Sequence, residues 1–329
     1  MNTSLNKLNK KLICVTIGDI EGIGIHLLLK EFKKGKIKNF ILFTNLKIFL
    51  NYIKFSKNKI NIINNTNLHN YNKSKLNILN YNTKNKNTNT MDSLKYGYEL
   101  TKKKLFIGIL TLPLNKYKLN NLVNRKFIDQ TSFFSNKENQ KYSNMVFFYN
   151  NKFFIPLTIH IELKKVHKSF KNKVLMIKKI KNLNSTLIND FKIKKPKIIL
   201  AGINPHAGEN KTISKDDDKY LLPIIHHLRK KKIIVYGPFS GDGIINNENL
   251  KNYDAFIFTY HDQALIPFKI ISNYEGVNFT SNLNIIRVSP SHGTAEKLIG
   301  SNKVISKGII NCFNLIKKIN KNRNKIDNC

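Results

Sequence analysis

A chain of 329 residues that is 41% hydrophobic can bury a sizeable core, as two domains or one large α/β unit. Its formal net charge of +37 invites a nucleic-acid reading. Only four of the 57 basic residues are arginines, however, and nucleic-acid sites favour the bidentate contacts of arginine.

Those four are Arg125, Arg229, Arg287 and Arg323. Lysine is spread along the chain among Asn and Ile. All three have AT-rich codons, so a biased gene accounts for the charge. A positive field would still attract phosphorylated small substrates. Cys14, Cys312 and Cys329 form no CxxC pair and fit a reducing compartment. The apolar run near the start, of about five residues, is too short for a signal-peptide core. No later run reaches the length of a membrane span. The expectation is a cytoplasmic protein with no membrane or nucleic-acid partner.

LICVT (12–16) reads as a strand that ends at GDIEGIG, and HLLLKEF follows as a helix. FILFT (40–44) and INII (60–63) are further strands. Residues 64–90 are Asn-rich and weakly patterned, which predicts a long surface connection or partial disorder. Asp92 is placed to cap a helix through SLKYGYELTKKK. FIGILTL (106–112) reads as a buried strand. NMVFFYNNKFFIPLTIHI holds two strands around Asn150-Asn151, and VLMIKKIKNL has helical spacing. PKIILAGINPHAGEN is strand then loop, and the acidic run 216–218 opens a helix through YLLPIIHHLRK. KIIVYGPF and DAFIFTYHDQ repeat the strand-then-loop unit. NIIRV precedes SPSHGTAEKLIG, where Thr294 is a candidate cap, and ISKGIINCFNLIKKIN closes as an amphipathic helix. Strands alternating with helices predict a largely parallel sheet core.

In open α/β sheets, ligands bind beyond the carboxyl ends of strands. PLTIH ends at His160, IILAGINPH at His206 and FIFTYH at His261. Three imidazoles at strand ends are a candidate divalent-metal set, against the plainer reading of satisfied core histidines. His26, His69, His167, His226 and His227 are expected at the surface. Lys269, Asn278 and Arg287 follow at intervals of eight, nine and nine. Lys269 and Arg287 emerge from apolar surroundings, which suits anion recognition as well as solvated charge. GDIEGIG is not GxGxxG and lacks the GK[ST] of a P-loop, so it is a weak phosphate signal.

Taken in order, GDIEGIG, TLPLNK, AGINPHAGEN, YHDQALIPFK, GVNFTSNLNIIR and SHGTA resemble the motifs of the 4-hydroxythreonine-4-phosphate dehydrogenase (PdxA) family. The resemblance runs from about residue 12 to residue 318. It implies the isocitrate/isopropylmalate dehydrogenase-like fold, with two α/β/α lobes and the active site in the interdomain cleft. The expected lobes are 1–130 plus 300–329, and 131–299. It implies NAD(P)-dependent oxidation of 4-phosphooxy-L-threonine to a β-keto acid that loses CO2, giving 3-amino-2-oxopropyl phosphate for vitamin B6 synthesis. It also implies a homodimer with a shared divalent-metal site (Zn, Mg, Co or Mn). His160, His206 and His261 would be the ligands, with His261 coming from the partner subunit. Gln130, Thr131, Lys269, Asn278 and Arg287 would hold the small phosphorylated substrate, and Asp262 would orient an imidazole.

The chain departs from that pattern. Asp129-Gln130-Thr131-Ser132 stands where the family has Gly-His-Thr-Glu, and an amide cannot become cationic. Glu21 and Ile25 replace an alanine and a proline in the first glycine loop, and Ser291 stands where Asp is usual. Two alternatives therefore stay open. One is a sibling dehydrogenase for 4-phosphothreonate or 4-phosphoerythronate; the other is a decayed homologue that acts as a binding protein.

Overall fold

The computed structural model describes residues 11–64, 68–122, 127–301 and 304–324. The opening ten residues, Arg125, Cys329 and the His69 side chain lie outside the described part. The chain forms two compact units, 1–138 with 283–321, and 139–282 with 322–329. The return to the first unit thus begins at Leu283, where the sequence suggested residue 300.

In the first unit, β1 (Ile13–Thr16) turns at Gly18 into α1 (Ile23–Lys33). Gly18 has φ +65, and a Cβ there would meet Pro113 O at 2.4 Å, so the turn requires glycine. β2 (Phe40–Phe43), α2 (Leu46–Tyr52) and β3 (Ile60–Asn64) follow. The Asn-rich stretch is not a loose connection. It contains β4 (Leu76–Asn80) and the start of α3 (Lys86–Lys102). Leu76 and Ile78 are fully buried, and the asparagines act as backbone caps. Asn77 accepts from Asn61 Nδ2 (2.8 Å) and Asn72 N (2.8 Å) and donates to Asn72 O (2.7 Å). Asn85 and Thr88 form the capping box of α3. Asp92 therefore lies inside that helix, where it accepts from the Thr83 hydroxyl (2.7 Å) instead of capping it.

β5 (Ile109–Thr111), α4 (Lys116–Leu122) and α5 (Gln130–Lys137) complete the first pass. Gly97 of α3 lies so close to the sheet that a Cβ would meet Ile109 Cδ1 at 2.9 Å and Cys14 Sγ at 3.0 Å. The second unit opens with the hairpin β6 (Met145–Tyr149) and β7 (Lys152–Pro156). Asn150 and Asn151 both have positive φ, which is the chemistry of a tight two-residue turn. Then come α6 (Val166–Ser169), α7 (Lys173–Phe191), β8 (Lys197–Ala201) and α8 (Leu222–Lys230). β9 (Ile234–Phe239), α9 (Asn247–Asn252), β10 (Ala255–Phe258), α10 (His261–Ser272) and β11 (Val277–Thr280) complete this unit. β12 (Arg287–Pro290) belongs to the first unit, and α11 (Lys307–Asn324) ends the described chain. Thr294 caps no α-helix; only a short 3-10 turn, Glu296–Leu298, follows it.

Strand order in the first unit is β3-β4-β2-β1-β5-β12, with every neighbouring pair parallel. The second unit has β11-β6-β7-β10-β8-β9. Here β11, β6 and β7 run antiparallel and the remaining pairs are parallel. Each unit has its own core. Phe43, Tyr98, Phe106 and Phe134 anchor the first, and Phe154, Phe256, Phe258 and Phe268 anchor the second. The described arginines serve internal contacts. Arg229 donates to Val235 O (2.7 Å), and Arg323 forks onto Asp190 (2.7 and 2.8 Å).

Asn89 is fully buried; it accepts from Asn45 N (3.0 Å) and donates to Thr44 Oγ1 (3.0 Å). Asn89→Ala orphans both groups and is expected to cost about 2 kcal/mol in urea unfolding, with an unchanged m-value.

Candidate active site

The strand ends of the second unit carry the three candidate histidines. β10 ends at Phe258, and His261 is the first residue of α10. His160 follows β7, and its ring centroid lies 5.6 Å from that of His261. His261 Nδ1 is 2.6 Å from Asp262 Oδ1. A proton on Nδ1 held by that carboxylate leaves Nε2 as the lone-pair nitrogen.

His206 sits elsewhere, on a loop after β8 in which residues 206–211 all have positive φ. Asp217, which is fully buried, anchors the residues just before that costly backbone. Asp217 accepts from Ile203 N (2.6 Å), Asn204 N (3.3 Å) and Asn204 Nδ2 (2.8 Å). Gln263 ties this loop to α10. Its Oε1 accepts from Thr259 N and Thr259 Oγ1 (both 2.8 Å), and its Nε2 donates to Gly202 O (3.0 Å). Among the described residues, no three His, Cys, Asp or Glu side chains are grouped closely enough to hold a metal. The structure thus brings His160 and His261 together and leaves His206 outside the pair. Two imidazoles, one oriented by a carboxylate, suit half of a divalent transition-metal site.

Lys269 is half-buried on α10, and Asn278 is half-buried on β11 opposite Phe147. Lys179 of α7 donates to Leu157 O (2.5 Å), three residues before His160. Burial pushes its ammonium down to about 8.

The other candidates meet in the first unit. Arg287, at the start of β12, is 2% exposed. Its Nε and Nη2 donate to Thr111 Oγ1 (3.1 and 3.0 Å), and its Nη2 also donates to Ser289 Oγ (3.1 Å) and to Gln130 Oε1. Burial pushes its guanidinium down to about 10, and the Asp129 charge opposes that shift. It therefore stays cationic at neutral pH. Asp129 caps α5 by accepting from Ser132 N (2.9 Å) and Ser132 Oγ (3.0 Å). Thr131 is 4% exposed, and no bond reaches its hydroxyl among the described residues. A buried hydroxyl left unbonded is a place for a ligand oxygen. The glycine loop is fixed through Glu21, which takes Lys86 (2.7 Å) and Lys118 (2.9 Å); the Lys86 bond holds its carboxyl below the usual range.

Sequence reasoning missed Asp217, Gln263, Thr111 and Ser289. Asp217 read as helix-dipole chemistry, because sequence spacing does not show that its side chain turns back to residues 203 and 204. Gln263 had a signal, its place in the first turn after His261. Of the contrast histidines, His226 and His227 are exposed, while His26 and His167 are half-buried.

Parallel strands that end in imidazoles, a buried cation and a buried unbonded hydroxyl mark an α/β protein with a candidate small-ligand site beyond its strand ends. The chain belongs to the family of pyridoxal phosphate biosynthetic protein PdxA, whose family model matches residues 36–316. A 4-hydroxythreonine-4-phosphate dehydrogenase of Bacteroides thetaiotaomicron is 28% identical over 307 residues, covering 89% of this chain and 84% of that protein. One from Zymomonas mobilis is 36% identical over 213 residues, covering 64% of this chain and 63% of that protein. The crystal structure of the Klebsiella pneumoniae 4-hydroxythreonine-4-phosphate dehydrogenase shares the fold, with a TM-score of 0.78 at 23% identity. That likeness covers 94% of this chain and 99% of the other.

Asp217→Ala is expected to free the His206 loop: amide exchange at Ile203 and Asn204 should rise at least tenfold, with α8 protection unchanged. Lys179 makes a separate prediction. Its folded value of about 8 lies below the unfolded 10.5. Between those values the unfolded chain keeps the proton and the folded chain does not, so stability rises with pH across that window. Wild type should gain on the order of 2 to 3 kcal/mol there relative to Lys179→Met, read from chemical unfolding at stepped pH.

Proposed function

We propose that this chain oxidises 4-phosphooxy-L-threonine with NAD or NADP, in pyridoxal 5′-phosphate biosynthesis. The β-keto acid formed loses CO2 to give 3-amino-2-oxopropyl phosphate. The carrying observation, in a chain of this family, is the buried Arg287 guanidinium, held among the oxygens of Thr111, Ser289 and Gln130. Arg287 supplies a fixed positive charge for a phosphate or carboxylate and Thr131 a hydrogen bond; in the second unit, Lys269 and Asn278 are polar groups suited to the same anion chemistry. Asp262 orients His261 so that Nε2 faces outward as a ligand.

His160, His206 and His261 would hold a divalent metal, Zn, Mg, Co or Mn. When bound, it supplies a Lewis acid for the hydroxyl being oxidised and for the ketone that drives decarboxylation. A bound nicotinamide would supply the hydride acceptor. A second copy of the chain is the proposed source of the missing contribution to the metal site. Ile266 and Ile270, 62% and 76% exposed, lie one turn apart on the helix that begins with His261, and exposed Ile161 and Leu163 follow His160. Apolar side chains around a half-built site favour a partner that covers it. The buried free thiols Cys14 and Cys312 fit a cytoplasmic setting.

The test is reduction of NAD or NADP by the purified protein with 4-phosphooxy-L-threonine, with and without added metal. Metal-dependent reduction is expected. Silence with this substrate but turnover of 4-phosphothreonate or 4-phosphoerythronate would move the assignment to those acids. Silence with all three would overturn the dehydrogenase reading. In equilibrium metal titrations, His261→Ala should abolish tight binding, while Asp262→Ala should weaken it about tenfold.

A further inference from the structure

We propose that Gln130 is a positioning residue: its amide fixes the Arg287 guanidinium against the substrate anion and does not itself touch the substrate. This rests on the anion-binding role given to Arg287 above.

Both ends of the Gln130 amide are committed. Nε2 donates to Leu112 O (3.0 Å), the backbone carbonyl just past β5. Oε1 accepts from Arg287 Nη2 and lies 2.9 Å from Thr111 Oγ1. Arginine has donors only, so the amide oxygen, not its nitrogen, must face Arg287. The arginine thereby fixes which way the amide points. Thr111 Oγ1 accepts from Arg287 and gives its one hydrogen to Gln130 Oε1 or to Val288 O (3.2 Å). Gln130, Thr111 and Arg287 thus close a ring of bonds across α5, β5 and β12. Gln130 is 8% exposed and Arg287 2%, so releasing the amide toward a ligand would take from Leu112 O the donor that caps it and from Arg287 Nη2 one of its three acceptors.

The residue type matters chemically. A neutral imidazole offers one acceptor nitrogen, and an imidazolium offers none. An amide oxygen keeps its lone pairs at every pH, so it can hold a permanent cation where a histidine would let go on protonation. The departure at position 130 is then a working arrangement in which position 130 adds no charge of its own and holds that of Arg287 in place.

The experiment is calorimetric binding of 4-phosphooxy-L-threonine and 4-phosphoerythronate to the full chain without nicotinamide. The proteins are wild type, Gln130→Leu, Arg287→Met and the double variant. Gln130→Leu is expected to weaken binding about tenfold. The double variant should bind no more weakly than Arg287→Met alone, because Gln130 acts only through the arginine. Losses that multiply would overturn the proposal and make Gln130 a direct contact, and so would a wild type that binds neither compound. Gln130→His, an isosteric-range change suited to the fold, gives the second reading. Its affinity relative to wild type should fall as pH drops through the imidazole range, and a rise would overturn the proposal. A wild type that binds but never reduces nicotinamide would sink the functional assignment and leave this inference standing.

Discussion

The ends of parallel strands leave backbone N–H and C=O groups that no neighbouring strand can satisfy, and burial makes each one costly. This chain meets that constraint with side chains brought from elsewhere in the sequence. Ser93 takes Ile17 N beyond β1, and Asn89 takes Asn45 N beyond β2. Gln130 reaches Leu112 O beyond β5, and Lys179 reaches Leu157 O beyond β7. Asp217 and Gln263 serve the end of β8. His160, His206 and His261 follow such strand ends, and Gln130 is itself one of the caps.

Such capping explains the polar character of the two half-sites. In the second unit, the caps stand close to the histidines: Gln263 couples α10 to the close of β8, and Asp217 holds Ile203 and Asn204 just before the left-handed run that begins at His206. In the first unit, the caps decide how a charge is held. Arg287 remains cationic although almost wholly buried, because hydroxyl and amide oxygens replace its hydration. A positive charge kept in place before the ligand arrives needs no reorganisation when it does.

The net charge plays no comparable part. Lysine is spread over the chain, and the three described arginines outside residue 125 are tied to Val235, to Thr111 and its neighbours, and to Asp190. Asparagine, equally abundant through codon bias, has been drawn into structure. Asn45, Asn77, Asn85 and Asn89 cap helices and strand ends, which is why a segment that looks like a linker holds a buried strand.

The sequence by itself determined the α/β class, most strands and helices, the tight turn at Asn150-Asn151 and the strand-end positions of His160, His206 and His261. Those are local matters: apolar runs, turn residues and the step from strand to loop are written within a few residues of one another. It also carried the ordered motifs of the family. Only the tertiary structure decided which polar side chains act together. Thr111, Gln130 and Arg287 are separated by 19 and 157 residues, and Asp217 folds back over 13 or 14 to the loop it supports. A hydrogen bond depends on direction and on a distance of about 3 Å, and neither is encoded in spacing along the chain once the partners lie on different elements. The same reason kept the strand in the Asn-rich segment hidden, since Leu76 and Ile78 are apolar enough for a strand only when β2 and β3 pair on either side of them.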